Sequence, residues 1–168
     1  MSGTQIGLVN VAEDSSVPIG LLNFVKNGQL DLVAWLDETG FINTGILSGG
    51  KHFYTVLAAG RNGGKDLATL TFGAGLRFEL AHNLSLRTEI LNECVADDDD
   101  LFASCDGYPE PENTQRYRVG IEYRPVRLFA VTAGVSLNWN NRRDGRIYSR
   151  FDLGGRVWPG YYIGVNLF

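Results

Sequence analysis

Apolar and polar residues alternate along the middle and C-terminal parts of the chain. In residues 69–80 every second position is apolar, and the positions between hold threonine, glycine, arginine or glutamate. The same alternation recurs in 84–91, 116–124 and 128–138. Because neighbouring side chains of a β-strand point to opposite faces, the pattern predicts strands with one apolar face. The predicted strands are 4–11, 18–25, 30–37, 41–47, 52–59, 68–80, 84–91, 116–124, 128–138, 146–156 and 161–168.

Alternation is also typical of a soluble β-sandwich, so the positions of the aromatic residues decide between the two. Tyr117 and Tyr123 lie near the ends of one predicted strand, and Phe129 and Trp139 near the ends of the next. At about 3.3 Å per residue and a tilt of about 45°, Phe129 and Trp139 differ in height by roughly 23 Å. The apolar band of a transmembrane barrel is about 25 Å tall and is flanked by aromatic girdles. The sequence therefore predicts an all-β, antiparallel up-and-down (meander) transmembrane β-barrel.

The opposite face of these strands is rich in small residues, arginine and glutamate, as expected for a narrow polar lumen. Most of the cationic residues are arginine, whose planar donor fork suits a buried ion network. An unpaired charge in that space is costly, so each carboxylate is expected to lie between arginines. The lumen is expected to be net positive. The predicted lumen ion network comprises Arg77, Glu79, Arg87, Glu89, Arg116, Arg118, Glu122, Arg124, Arg150, Asp152 and Arg156.

The number of predicted strands is odd, whereas closed bacterial barrels usually have an even number. We therefore expect about 10 or 12 strands in a single barrel domain, 1–168. Short turns are predicted to alternate with longer connections, the longest being an acidic loop at 92–115. The strand count leaves the C-terminus on the rim with the long loops, which is wrong for an outer-membrane barrel and indicates an error of one strand.

The N-terminal part of the chain contains a two-unit repeat with a period of 13 residues. Gln5-Ile6-Gly7-Leu8-Val9-Asn10 corresponds to Pro18-Ile19-Gly20-Leu21-Leu22-Asn23. Each unit is interpreted as one strand and one turn, so that 4–27 forms a strand repeat. These strands, together with 30–36 and part of 52–59, are apolar on both faces, so their inner and outer faces cannot be assigned from the pattern.

Composition and charge narrow the class of protein. The many glycines and aromatic residues, with only 5 prolines, are typical of an all-β chain. The longest apolar runs fall far short of the roughly 18 residues of a membrane-spanning helix. A net charge of −4 is too small to indicate nucleic acid as a partner. Export of a barrel requires a leader, so we expect one to have been removed before residue 1.

The acidic and cysteine-containing part of the chain is 93–112, which holds eight acidic residues and no basic ones. Cys94 and Cys105 are the only cysteines, and their close spacing predicts a disulfide formed in an oxidising compartment. The run Asp97 to Asp100 could chelate Ca²⁺, but it lacks the alternating carboxylates and the glycine of an EF-hand loop. A solvated acidic loop is the favoured interpretation, and no metal or cofactor is predicted.

His52 and His82 are the only histidines of the sequence and are candidate parts of an enzyme. An outer-membrane lipid hydrolase would need a histidine beside a serine and an orienting acid near the membrane rim. His82 precedes Asn83 and Ser85 in a predicted tight turn. Because such common residues often lie close together by chance, no catalytic residue is predicted.

The final residues, Tyr161 to Phe168, resemble the last strand of Gram-negative outer-membrane barrel proteins, which commonly ends in an aromatic residue read by the insertion machinery. Phe168 is the matching residue. The repeat at 4–27 resembles that of bacterial surface-repeat proteins, whose units read roughly Q-I-G-L-V-N. These resemblances imply a location in the outer membrane, with its lipid as a partner.

Three hypotheses of function follow. The first is a non-enzymatic barrel with a structural, adhesive or receptor-like surface role, in which the acidic loop contacts an extracellular ligand or partner protein. The second is a narrow pore whose inward arginines favour anions. The third, a lipid hydrolase at the rim, has the least support.

Overall fold

The described part of the chain consists almost entirely of β-strands. A computed structural model describes residues 4–6, 9–12, 17–19, 22–25, 28–64, 66–97, 112–140 and 157–168, with backbone alone before residue 28. No helix within these ranges is long and apolar enough to cross a membrane. The strands are β1 Thr4–Ile6, β2 Val9–Ala12, β3 Val17–Ile19, β4 Leu22–Val25, β5 Gln29–Asp37, β6 Phe41–Gly49, β7 Phe53–Asn62, β8 Leu67–Ala81, β9 Leu84–Asp97, β10 Glu112–Val126, β11 Phe129–Asn140 and β12 Val157–Leu167.

Strands β5 to β12 form a closed barrel of eight strands. Each strand pairs antiparallel with the next along the chain, and β12 closes the barrel against β5. The all-β antiparallel meander is confirmed, and the predicted count of 10 or 12 is wrong. The excess arose because the two predicted strands within 4–27 were assigned to the barrel. The predicted strand at 146–156 lies outside the described residues.

The two rims of the barrel differ in their connections. The short-turn rim holds residues 50–52, 82–83 and 127–128, the start of β5 and the end of β12. The long-loop rim holds 38–40 and 63–66, and the connections 98–111 and 141–156 leave from it. Phe168 therefore lies at the short-turn rim, so the sequence-based placement of this end on the long-loop rim is wrong. With eight strands, the chain returns to the rim from which β5 starts.

The predicted loop at 92–115 is wrong at both of its ends. Strand β9 continues to Asp97 and β10 begins at Glu112, and their ladder includes the pair Glu93 and Thr114. The strands extend because the alternation continues past Leu91, with Glu93 and Val95 on the inner face. Only 98–111 remains as a connection, and it lies outside the described residues.

The outward face of the barrel is apolar and the inward face is largely polar. Every barrel strand except β7 has exposed large apolar residues on its outward face, among them Leu32, Ile42, Phe72, Ile90, Tyr117, Val135 and Ile163. In the described part of the chain 19 polar or charged residues are buried. All of them except Ser48, which lies on the outer face of β6, point into the barrel. An eight-stranded barrel is only wide enough for its own side chains to fill the interior. The fold therefore gathers buried polar and charged residues from seven strands in one interior, and the charged ones come from β5, β8, β9 and β10.

The N-terminal repeat lies beside the barrel sheet, not within it. β1 pairs parallel with β3, and β2 pairs parallel with β4. The register aligns Thr4 with Val17 and Val9 with Leu22, so equivalent positions of the 13-residue repeat are paired. Each unit thus supplies two short strands, not the single strand expected from the sequence. β4 contacts β5, β6 and β7, and β3 contacts β7.

Candidate functional site

The predicted network residues fall into three groups in the structure. Arg77, Arg87, Glu89, Arg116, Arg118 and Glu122 are buried on the inner face of the barrel. Glu79 and Arg124 lie nearer the short-turn rim, where Glu79 is exposed and the Arg124 side chain is 37% exposed. Arg150, Asp152 and Arg156 lie outside the described residues.

The buried charges near the short-turn rim gather around one carboxylate, that of Glu122 on β10. Its Oε2 accepts hydrogen bonds from Arg77 Nη2 at 2.8 Å, Arg87 Nη1 at 3.2 Å and Asn166 Nδ2 at 2.8 Å. Its Oε1 accepts one from Arg124 Nη2 at 3.4 Å. Hydrogen bonds to an ionised group are roughly twice as strong as neutral ones. Glu122 therefore ties together strands β8, β9, β10 and β12.

A tyrosine extends this group across the barrel. Tyr54 on β7 donates from its hydroxyl to Glu89 Oε1 at 2.8 Å and accepts from Arg87 Nε at 2.9 Å. Arg87 also pairs directly with Glu89. The Tyr54 ring lies over Gly75, where an added Cβ would come within 2.5 Å of Tyr54 Cζ. Glycine at 75 therefore makes room for the tyrosine. We call Asp31, Tyr54, Arg77, Arg87, Glu89 and Glu122 the short-turn cluster.

The charges near the long-loop rim gather around an arginine instead. Arg116 Nη2 donates to Glu93 Oε1 at 3.0 Å, and Arg116 Nε lies 3.0 Å from Glu93 Oε2. Arg116 Nη1 lies 3.3 Å from Asp37 Oδ2 and 3.6 Å from Glu38 Oε1. The Arg116 side chain has no exposed surface. We call Asp37, Glu38, Glu93 and Arg116 the long-loop cluster.

Glu38 reaches this cluster from the turn between β5 and β6. Its Oε1 accepts hydrogen bonds from Asn138 Nδ2 at 2.7 Å and Trp158 Nε1 at 3.1 Å. A Cβ added to Gly160 would lie 2.3 Å from Glu38 Cδ. The absence of a side chain at Gly160 therefore allows a turn residue to enter the barrel interior.

Arg118 lies between the two clusters and is stabilised mainly by aromatic rings. Its Cζ lies 4.9 Å from the Trp35 ring centroid and 4.8 Å from that of Tyr162. The nearest carboxylate is Asp37, at 3.9 Å from Arg118 Nη2. Cation–π contacts with a desolvated arginine contribute on the order of 2 kcal/mol. Beside this arginine, an inner cavity of about 20 Å³ is bounded by side chains including Trp35, Glu89 and Tyr162.

The predicted net positive charge of the interior is wrong for the described part of the chain. Four arginines are buried there with five carboxylates, namely Asp31, Asp37, Glu89, Glu93 and Glu122. Three of these carboxylates were missing from the sequence-based network. Asp31 and Asp37 lie on β5, whose inner face also holds Val33 and Trp35, so the pattern did not separate its faces. Glu93 was assigned to the acidic loop, although its spacing of two from Leu91 and four from Glu89 placed it on the same face.

The cysteine prediction is only partly within the described residues. Cys94 is buried at the end of β9 and is in the disulfide form. Cys105 lies outside the described residues, so the pairing of Cys94 with Cys105 stays a prediction. The carboxylates at 98–100 lie there as well, and the described residues contain no group of three or more His, Cys, Asp or Glu suited to a metal ion.

The histidine at the short-turn rim does not form a catalytic arrangement with its neighbours. His82 is exposed in the turn between β8 and β9, and Ser85 is half-buried on β9. Both line a cavity at the short-turn mouth together with Asn83. Among the described residues no hydrogen bond joins His82 to Ser85 or to an acid. The hydrolase hypothesis gains no support from this geometry.

The fold and the buried network define a closed eight-stranded antiparallel barrel with a filled, charged interior. No protein-family model and no curated protein matches the chain. Among solved structures, the chain is similar to a de novo designed transmembrane β-barrel, at 13% identity and a TM-score of 0.47 over 82% of this chain and 91% of the other. It is also similar to the N-terminal β-barrel domain of Pseudomonas aeruginosa OprF, at 11% identity and a TM-score of 0.47 over 82% and 95% of the two chains. The NanC porin matches at 10% identity and a TM-score of 0.32 over 83% and 100%.

Proposed function

We propose that this protein is a small barrel of the Gram-negative outer membrane that does not conduct and acts as a structural, adhesive or receptor-like surface protein. The single observation that carries the proposal is the pairing of an apolar exterior with an interior closed by its own side chains. The exterior argues for lipid as the surrounding medium, and the interior argues against transport.

The exposed apolar residues form a belt of suitable height. On β10 the outward residues from Tyr117 to Val126 are mostly apolar, and outward Gln115 marks the end of the belt toward the long-loop rim. The nine steps between Tyr117 and Val126, at about 3.3 Å each and a tilt of about 40°, give a height of roughly 23 Å. The outward aromatics Tyr123 and Phe78 lie toward the short-turn rim, and Trp139 toward the other. A contiguous apolar surface of this extent requires lipid or detergent.

The interior leaves no passage through the part of the barrel where its side chains are described. Arg116, Tyr54, Leu47 and Glu93 have at most 1% of their surface exposed. The inner cavity of about 20 Å³ between the clusters has room for about one water molecule. An anion-favouring pore would need an open lumen with excess positive charge, whereas the described interior has more buried carboxylates than arginines. The pore hypothesis is therefore the second candidate.

Because the interior is closed, the long-loop rim is the proposed functional surface. The connections 98–111 and 141–156 leave from this rim, and 98–111 holds most of the acidic run. We propose that an extracellular ligand or partner protein contacts this acidic connection. The likeness of 4–27 to bacterial surface-repeat proteins belongs to the same proposal, and the pairing of equivalent repeat positions supports it.

Two measurements test the proposal. The protein should stay monodisperse only with detergent or lipid, and monodisperse β-structured protein in plain buffer would contradict the membrane location. In planar bilayers it should show no steady conductance. Arg118→Ala should not conduct either, because the buried clusters on both sides of Arg118 remain in place, and the outward Val135→Ile is the matched control. Steady anion-selective conductance of the unaltered protein would favour the pore instead.

A further inference from the structure

A cavity of about 440 Å³ opens at the short-turn rim of the barrel. We call it the short-turn cup. Its charged lining consists of Asp31, Lys51, Arg77, Glu79 and Arg124. The buried clusters lie between the cup and the long-loop rim, so it is the blind end of a filled barrel. We propose that the short-turn cup binds an oxyanion, a phosphate or carboxylate group, held between Lys51 and Arg124.

The two proposed ligands are the cations of the cup that retain free hydrogen-bonding capacity. Arg77 is buried and already paired with Glu122 and Asp31. Lys51 is exposed in the turn between β6 and β7 and forms no ion pair with any residue in the described ranges. Within the described ranges Arg124 has a single ion pair, to Glu122 at 3.4 Å. A guanidinium has five N–H donors, so most of those of Arg124 stay available.

Arg124 is also held in a fixed orientation. Its Cζ lies 3.7 Å from the centroid of the Phe168 ring, so the guanidinium rests against the aromatic face. One edge of the guanidinium then points to Glu122, and the remaining donors are free for a second acceptor. A preorganised fork binds carboxylate and phosphate with less loss of side-chain entropy than a mobile one.

The rest of the lining favours an anion over a cation. Asn83 and Ser85 supply further hydrogen-bond donors at the wall. Glu79 is the one exposed side-chain carboxylate among the lining residues, against the exposed Lys51 and the part-exposed Arg124. Phe168 adds its α-carboxylate at the same wall, so the hydrogen-bond donors, and not the net charge, favour an anion.

The test is isothermal titration of inorganic phosphate, and separately of acetate, into the full chain refolded in a nonionic detergent. Lys51→Ala and Arg124→Gln should each raise the Kd about tenfold or more, since a charge-assisted hydrogen bond is lost. The matched control is Arg127→Ala, which removes an equal charge from the same rim outside the cup. Its Kd should change less than about twofold, because exposed charges contribute little at a distance. Lys51 has no described partner, so Lys51→Ala tests the proposal even if Arg124→Gln refolds poorly.

Absence of both phosphate and acetate binding would overturn the proposal, as would equal weakening by Arg127→Ala. The source of the anion is decided by repeating the phosphate titration in micelles that contain phosphatidylglycerol. Loss of phosphate binding to the unaltered protein would assign the cup to a lipid headgroup. Unchanged binding would assign it to a soluble anion.

Discussion

The two charged clusters inside the barrel are built in opposite ways. In the short-turn cluster a carboxylate, Glu122, accepts from several arginines, whereas in the long-loop cluster an arginine, Arg116, faces three carboxylates. The cations of the first cluster have other acidic partners, since Arg77 also faces Asp31 and Arg87 also pairs with Glu89. Among the described residues, only Asp37 of the second cluster has a second cation, Arg118, and that contact is long at 3.9 Å. Loss of the central residue should therefore be worse in the long-loop cluster.

The largest effect is expected for Arg116→Gln. This change leaves the carboxylates of Asp37, Glu38 and Glu93 together in a buried space, and breaking a buried ion pair costs about 3 to 5 kcal/mol. The urea midpoint of the refolded barrel should fall accordingly. The double variant Arg116→Gln with Glu93→Gln should recover part of the loss, because it removes one of the repelling charges. A midpoint unchanged by Arg116→Gln would mean that water reaches this cluster freely.

Glu122→Gln should have the second largest effect, at about 3 kcal/mol, the lower end of the range for breaking a buried pair. The reason is that Arg77 and Arg87 keep the carboxylates of Asp31 and Glu89 as partners. The same urea titration measures it, with the outward Val135→Ile as the control, which should stay within about 0.5 kcal/mol. If Glu122→Gln lowers the free energy of unfolding more than Arg116→Gln does, the short-turn cluster depends more on its central residue than the long-loop cluster, contrary to our expectation.

The sequence predicted the short-turn cluster better than the long-loop cluster, for a physical reason. Arg77, Arg87, Glu89 and Glu122 lie on strands whose outer faces are apolar, so a spacing of two separates them from their neighbours. Asp37 and Glu93 lie in segments where the inner and outer faces of the strand do not differ clearly in polarity. β5 carries Val33 and Trp35 on its inner face, and Glu93 stands in a run of acidic residues whose charge predicts exposure to solvent.

Strand count failed for a related reason. The repeat at 4–27 has strand-like residues, and residue type alone does not distinguish parallel pairing of repeat units from antiparallel pairing in a barrel. Pairing partners depend on contacts far apart in the chain. The entry of Glu38 into the interior likewise depends on the space left by Gly160, more than a hundred residues away.

A smaller effect is expected where packing, not charge, supports the interior. A Cβ at Gly120 would lie 2.2 Å from the Tyr162 hydroxyl oxygen, so Gly120→Ala must displace the ring that contacts Arg118. Overpacking of this kind costs about 1 to 3 kcal/mol. The double variant Gly120→Ala with Tyr162→Phe removes the closest clash and should recover part of the loss, because the added Cβ would still lie 2.9 Å from the carbonyl oxygen of Ala133. Failure of that recovery would show that the cost comes from backbone displacement at β10.

Arg124→Gln should have the smallest effect on stability, although it removes one hydrogen-bond donor to Glu122. The Arg124 side chain is 37% exposed, and its contact with Glu122 is long at 3.4 Å. Ion pairs that solvent reaches contribute about 0 to 1 kcal/mol, because water screens the attraction and the side chain loses entropy when it is held. Glu122 also keeps Arg77, Arg87 and Asn166 as partners. The urea midpoint should therefore shift little, and added salt should reduce the shift further. If Arg124→Gln lowers the midpoint as much as Glu122→Gln does, the short-turn cluster depends on its contact with this partly exposed arginine. The contrast between the short-turn cluster, whose residues have several partners, and the long-loop cluster, which is centred on Arg116, would then not hold.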